Sequence, residues 1–148
     1  MHASPITQLE QLTLNTSAKS FLRETAKWSF FLAIIGFIGI ALMALLGIFS
    51  SVVFANLPFA QTQNLPFNIG TMMTLIYLVL SVLYFFPVYY LLQFSVKMKK
   101  ALSTKNDEVL ADAFEKLKSH YKFIGVFTII FLSLYVLIIV AALMGALA

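Results

Sequence analysis

Charged side chains are absent from two long stretches of this sequence, residues 28–96 and residues 123–148. One helix crosses the hydrocarbon core of a bilayer with about 20 apolar residues, so the first stretch is long enough for two crossings and the second for one. The chain has 61% apolar and 11% charged residues, where soluble domains have about 50% and about 25%. Because it has too few polar groups to cover a water-facing surface, we predict an all-α, polytopic membrane protein with three transmembrane helices.

The break between the first two crossings is predicted at residues 55–68, which hold two prolines, three asparagines and two glutamines. Such a composition is typical of turns and loops. The three transmembrane helices are then expected at about residues 28–54, 69–94 and 123–147, in a single membrane domain over residues 16–148.

The charged residues flank these crossings. Residues 1–15 are predicted to form a flexible polar tail, and Asn15 is a good N-cap for a helix that leads into the first crossing. Residues 95–122 carry seven lysines against four acidic residues, and Asn106 is predicted to cap a helix within them. We therefore expect basic, amphipathic juxtamembrane helices beside the three crossings. The sequence leaves open whether residues 107–147 form one continuous helix.

The distribution of basic residues predicts the orientation. With the N terminus in the cytoplasm, all ten Lys and Arg lie on the cytoplasmic side, whereas the opposite orientation places all ten outside. We therefore expect a cytoplasmic N terminus and a periplasmic C terminus. A signal peptide cleaved after Ala55 is disfavoured, because the apolar run before that residue is about 27 residues long, against 7–15 in signal peptides.

Several chemistries lack the residues that they need. The sequence has no cysteine, which excludes thiolate nucleophiles, disulfides and thiolate metal sites. His120 is the one candidate metal or haem ligand, although a histidine at that position is more often a solvated interface residue. No ionisable residue lies inside the predicted crossings, which argues against proton- or ion-coupled transport. We expect no enzymatic activity, no catalytic residue, no cofactor or metal, and no nucleic-acid partner.

The first crossing carries a stripe of small residues within about 80° of helical arc. We call it the small-residue stripe, and its members are Ser29, Ala33, Gly36, Ala44, Gly47 and Ser51. Small side chains let helix backbones approach closely in lipid. The stripe is either a face for a partner or a second copy, or the packing surface against other helices of the same chain, which is the more common case.

The second crossing carries a polar stripe formed by Thr74, Tyr77, Ser81 and Tyr84. Pro87 follows in an aromatic segment, where it lacks the N–H that would bond to the Leu83 carbonyl and is expected to kink the helix. A kink beside tyrosine hydroxyls can frame a groove for a lipid, a quinone or a peptide. The alternative is that these hydroxyls form hydrogen bonds within the bundle.

A basic cluster follows the second crossing, formed by Lys97, Lys99, Lys100 and Lys105. Basic residues near a membrane surface attract anionic headgroups, each by about 1 kcal/mol. We predict that this cluster contacts lipid headgroups or a partner.

Four short segments are familiar: residues 21–28 (FLRETAKW), 35–39 (IGFIG), 84–87 (YFFP) and 117–125 (LKSHYKFIG). Together they resemble a family of small, three-helix bacterial membrane proteins of unknown function that is common in Bacteroidota. The resemblance covers about residues 14–145, and it is most specific at 117–125. It implies a location in the bacterial inner membrane and carries no known activity, substrate or catalytic residue.

The sequence thus has packing features throughout and no catalytic feature. The leading hypothesis is a non-enzymatic membrane scaffold or accessory subunit of a larger inner-membrane complex, with other membrane subunits, further copies of the chain, and anionic lipids as partners. One alternative is an oligomeric channel for small solutes. The other is a lipid- or quinone-binding membrane protein.

Overall fold

The computed structural model describes residues 14–56 and 68–147. These residues form three long α-helices: α1 (Thr16–Ala55), α2 (Ile69–Thr104) and α3 (Asp107–Leu147). Each contains a segment that is long and apolar enough to cross a membrane. The structure therefore confirms an all-helical chain with three helices that could span a bilayer.

Asparagine side chains cap the start of each helix. The Asn15 side chain accepts a hydrogen bond from the backbone N–H of Ala18 at 2.7 Å, and that of Asn106 accepts one from the N–H of Val109 at 3.1 Å. Asn68 does the same for α2. Asn15 and Asn106 are thus confirmed as N-caps, each with a side-chain oxygen that bonds an N–H left free in the first helical turn.

All three helices extend beyond their uncharged segments at the same end of the molecule. We call this part the basic end; it consists of residues 16–27, 97–104 and 107–122. The extensions add about 18, 12 and 24 Å of helix, at about 1.5 Å per residue. The basic end therefore forms a three-helix projection from the uncharged part of the molecule.

The juxtamembrane segments are parts of the long helices, and the structure resolves the question of continuity that the sequence left open. Within the described ranges, residues 95–104 belong to α2 and residues 107–122 belong to α3, with Lys105 and Asn106 between them. Lys105 adopts the left-handed conformation (φ 53°) that ends α2. No helix-breaking residue separates the charged part of α3 from its uncharged part, so α3 is one continuous helix.

The buried apolar core lies at the basic end and in the adjoining turn of α2. All three helices contribute to a core of Ala26, Phe94, Met98 and Ala113, all fully buried. Five half-buried leucines surround it: Leu22, Leu91, Leu102, Leu110 and Leu117. Removing these apolar side chains from water stabilises the fold, which explains why their face turns inward here.

The three helices are less buried in their uncharged parts than at the basic end. α2 is central, because α1 and α3 each pack against it, whereas the described parts of α1 and α3 make little contact with each other. In the most apolar 18-residue segment of each helix, about a tenth of the residues are buried in α1 and α2, and none is buried in α3. Lipid tails are as apolar as leucine, so the hydrophobic effect does not drive helices together there.

Candidate functional site

One face of α2 receives the small-residue stripe of α1. Ser29 and Ala33 are buried, Gly47 lies against Tyr77, and Ser51 lies against Gly70. Ala44 is half-buried. The structure therefore places the stripe against α2 of the same chain, which corresponds to the second of its two interpretations.

Three glycines bring α1 and α2 into close contact. A Cβ atom on Gly47 would lie 2.8 Å from the Cβ of Tyr77, and one on Gly70 would lie 2.8 Å from the Cα of Ser51. A Cβ on Gly36 would lie 2.8 Å from a methyl group of Val88. These distances are too short for any larger residue, so the contact depends on the missing side chains.

The polar stripe of α2 is divided between two surroundings. The Thr74 hydroxyl lies 2.9 Å from the Gly47 carbonyl and 3.0 Å from the hydroxyl of Ser50, so it joins α1 to α2. Ser81 donates within its own helix to the Tyr77 carbonyl. Tyr84 faces α3, where its ring packs 6.4 Å from that of Phe127. The structure thus brings three members of the stripe towards α1 and separates Tyr84 from them.

Two interhelical hydroxyl contacts lie outside the residues singled out from the sequence. Ser50 bonds to Thr74 as described, and Ser95 donates to the Ala26 carbonyl at 2.6 Å. Ser50 lies about 60° from Gly47 around the helix, just outside the arc that defined the small-residue stripe, so the spacing selected Ser51 instead. Ser95 carried a readable signal, since it continues the polar stripe of α2 towards the basic end.

The other face of α2 forms a groove with α3, which we call the α2–α3 groove. Its volume is about 530 Å³, within the range of about 300–1,000 Å³ typical of small-molecule sites. It is lined by Leu83, Tyr84, Pro87, Phe123, Ile124, Phe127, Thr128, Phe131, Leu132 and Tyr135. The groove opens where α3 leaves α2, and its walls are almost entirely apolar.

Pro87 and His120 join the two helices at the basic end of this groove. Pro87 is buried inside α2, and its carbonyl oxygen lies 2.7 Å from the Nδ1 atom of His120 on α3. A carbonyl can only accept, so Nδ1 carries the hydrogen and donates it. His120 therefore holds α3 to α2 in this structure, a contact that the sequence analysis did not predict.

Among the described residues, no three His, Asp or Glu side chains form a group that could hold a metal ion.

The four lysines predicted to contact headgroups have different surroundings in the structure. Lys97 forms an ion pair with Asp112 of α3 at 2.9 Å. This hydrogen bond and the positive charge of Lys97 lower the pKa of the Asp112 carboxyl from its ordinary value of 3.8. Lys99 turns towards α1, with its ammonium 4.3 Å from the centre of the Phe30 ring. Lys100 and Lys105 are exposed.

Lys99 meets two basic residues of α1 that the sequence analysis did not include in the headgroup cluster. Arg23 and Lys27 line a hollow of about 310 Å³ together with Lys99, Leu102 and Ser103. We call it the cationic hollow. Its members come from segments about 70 residues apart, so only the antiparallel packing of α1 on α2 brings them together.

No protein-family model matches this chain. No curated protein and no solved structure is significantly similar to it. The function is therefore argued from the contacts and surfaces described above.

Proposed function

We propose that this chain is a non-enzymatic membrane scaffold or accessory subunit that assembles through the uncharged part of α3. One observation carries the proposal: the most apolar segment of α3 has no buried residue, although the same helix is packed at its basic end. The partner is expected to be a transmembrane helix of another subunit or of a second copy of this chain.

The exposed part of α3 continues the face that packs at the basic end. At 100° per residue, Phe131, Tyr135, Ile138 and Ala142 lie within about 40° of the direction of the buried Ala113. All four are exposed in the uncharged part of α3. This face therefore has the composition and direction of a packing surface, and α2 covers only its basic half.

The contrast with α1 supports the same proposal. Helices in lipid associate through close backbone approach and interhelical hydrogen bonds, and α1 has both with α2 at Gly47 and Thr74. On α3, Gly145 lies about 40° from the direction of Ala113, and a Cβ atom there would meet nothing within 4 Å. α3 thus has a position suited to close approach on the proposed face.

The proposed location is the bacterial cytoplasmic membrane, with the basic end in the cytoplasm and the C terminus in the periplasm. The charges support this orientation, because nine of the ten Lys and Arg lie in the basic end and the tenth, Lys105, lies in the turn between its α2 and α3 segments. The family resemblance of residues 117–125 supports the bacterial origin. The amphipathic extensions of the three helices would then project into the cytoplasm.

Mass measurement after purification in a mild detergent tests the assembly. We expect the complex to exceed the 16.6 kDa of one chain by at least one further protein chain. Ile138→Trp should dissociate it, because Ile138 lies on the proposed face, and Leu137→Trp, about 100° away around the helix and off that face, should not. Both side chains are about two-thirds exposed, so neither substitution disturbs the chain itself. A monomer without any second chain would contradict the proposal.

A second candidate function, the binding of a lipid or quinone, is favoured by the α2–α3 groove. The groove is large enough for an apolar small molecule, and aromatic rings wall it. Native mass spectrometry should then detect a retained small molecule, and Thr128→Trp should displace it by filling the groove.

No contact among the described residues favours a channel, because the hydroxyls of Thr74 and Ser81 are engaged by backbone carbonyls.

A further inference from the structure

We propose that the cationic hollow binds the phosphate of an anionic phospholipid headgroup. The hollow is lined by Arg23 and Lys27 of α1 and by Lys99 of α2, with Leu102 and Ser103 beside them. This inference is independent of the assembly through α3, because it concerns the opposite side of α2.

Among the described residues, no acidic side chain forms an ion pair with the cations of the hollow. Within residues 14–56 and 68–147, ion pairs form between Lys97 and Asp112 at 2.9 Å and between Lys116 and Glu115 at 3.8 Å, and neither involves the hollow. Glu24 lines a neighbouring depression, but it forms no ion pair with the three cations. Like charges held close together repel, so a bound anion would stabilise this arrangement.

The chemistry of the lining suits a phosphate. An arginine guanidinium can donate two parallel hydrogen bonds to phosphate oxygens, and lysine ammonium groups add compact positive charges. The Ser103 hydroxyl already donates to the Lys100 carbonyl at 2.8 Å. Binding therefore rests on the three cations.

The position of the hollow favours a lipid over a soluble phosphate. Lys27 is the last charged residue before the uncharged segment of α1, and the Lys99 ammonium reaches the ring of Phe30 within that segment. The depression beside the hollow is lined by Arg23, Lys27, Trp28 and Phe31, among others. Trp28 and Phe31 are more than half exposed, so they offer an apolar surface to acyl chains whose phosphate lies among the cations. Basic pockets between transmembrane helices bind anionic headgroups in this way.

Lipid binding to the full chain in detergent tests the site. Native mass spectrometry would follow titration with phosphatidylglycerol and, separately, with phosphatidylcholine. We expect the wild type to prefer phosphatidylglycerol, and the triple variant Arg23→Gln, Lys27→Gln, Lys99→Gln to lose about a hundredfold in affinity, since each cation contributes a factor of about five.

A matched control separates the hollow from general charge attraction. The variant Lys19→Gln, Lys118→Gln, Lys122→Gln loses the same net charge at exposed positions outside the hollow, and its affinity should stay within about twofold of the wild type. An equal loss in both variants, or equal binding of the two lipids, would overturn the proposal. Displacement of phosphatidylglycerol by millimolar inorganic phosphate would overturn the assignment to a lipid.

A second measurement does not depend on the folding of any variant. A phosphatidylglycerol with a photoreactive group near its phosphate should label the wild-type peptides that contain residues 20–31 and 99–103. Labelling confined to α3 would contradict the proposal.

A conservative variant tests the role of the charge. Lys99→Arg should keep the binding that Lys99→Gln weakens, because it retains the charge.

Discussion

At the scale of single residues, the close contact between α1 and α2 depends on glycines, which have no side chain. Gly47 and Gly70 lie where a Cβ atom would be 2.8 Å from the opposite helix. The Thr74 hydroxyl can reach the Gly47 carbonyl only because the helices are so close. A larger residue at either glycine would force the two helices apart, since the atoms that it meets belong to the backbone or to a Cβ.

Gly47→Ala and Gly70→Ala are expected to lower the free energy of unfolding by about 1–3 kcal/mol each, the usual cost of overpacking. Reversible unfolding in mixed micelles would measure it. Gly39→Ala is the matched control, because a Cβ there meets nothing within 4 Å and alanine favours a helix more than glycine does. Equal stability of all three variants would show that α1 and α2 are farther apart than described.

The ion pair between Lys97 and Asp112 predicts a pH dependence. Asp112 lies outside the uncharged segments, and Lys97 lowers its pKa from 3.8. A carboxyl whose pKa is lowered in the folded state adds stability above its unfolded pKa, and this contribution is lost as the pH falls through the lowered value.

Lys97→Gln should therefore raise the pKa of Asp112 towards 3.8, as measured by the ¹³C shift of its carboxyl group. The difference in melting temperature between this variant and the wild type should be constant near neutral pH and shrink below about pH 4. Lys100→Gln removes the same charge from an exposed neighbour and should leave the Asp112 titration unchanged. An unaltered titration in Lys97→Gln would contradict the pairing.

At the scale of the helices, the sequence predicted the features that depend on contrast between polar and apolar residues. It did not predict the arrangement of apolar helix surfaces inside the membrane. The three crossings and the caps at Asn15 and Asn106 followed from charge placement and residue type. The inward face of α3 at the basic end could also be predicted, because Leu110 and Leu117 stand out against charged neighbours. The divergence of α3 from α2 could not, since lipid-facing and protein-facing surfaces are equally apolar inside a membrane.

The continuity of α3 has a direct test, because the cysteine-free sequence allows labels to be placed at will. Spin labels on Glu108→Cys and Met144→Cys should lie about 54 Å apart along a straight helix. A hinge near residues 122–125 would shorten and broaden this distance. The pair Glu108→Cys and Lys122→Cys, which does not cross those residues, should stay near 21 Å in either case.

The hydrogen bond from His120 to the Pro87 carbonyl is expected to set where α3 leaves α2. His120→Leu removes the donor, so the distance between spin labels on Val82→Cys and Ile129→Cys should increase or broaden. His120→Asn should preserve the distance, because its side-chain amide places a donor near the position of Nδ1. An unchanged distance in His120→Leu would mean that packing alone holds the two helices.

At the scale of the whole molecule, charge and packing are concentrated at one end. The shared core, the ion pair of Lys97 and the cationic hollow lie at or next to the basic end, while the most apolar 18-residue segment of α3 has no buried residue. The distribution of charge along the sequence predicted that the charged residues gather at one end. The exposure of α3 required the structure, because it depends on the direction in which α3 leaves the bundle.

The most direct test of the proposed assembly is site-specific photocrosslinking from α3 in native membranes. A photoreactive label on Ile138→Cys should yield an adduct of defined mass with a second protein chain. The same label on Leu137→Cys, at a similar depth but about 100° away around the helix, should react only with lipid, as should one on the exposed Leu46→Cys of α1. Adducts from Ile138 alone would support a partner helix on this face. Lipid adducts alone, or equal protein adducts from all three positions, would contradict it.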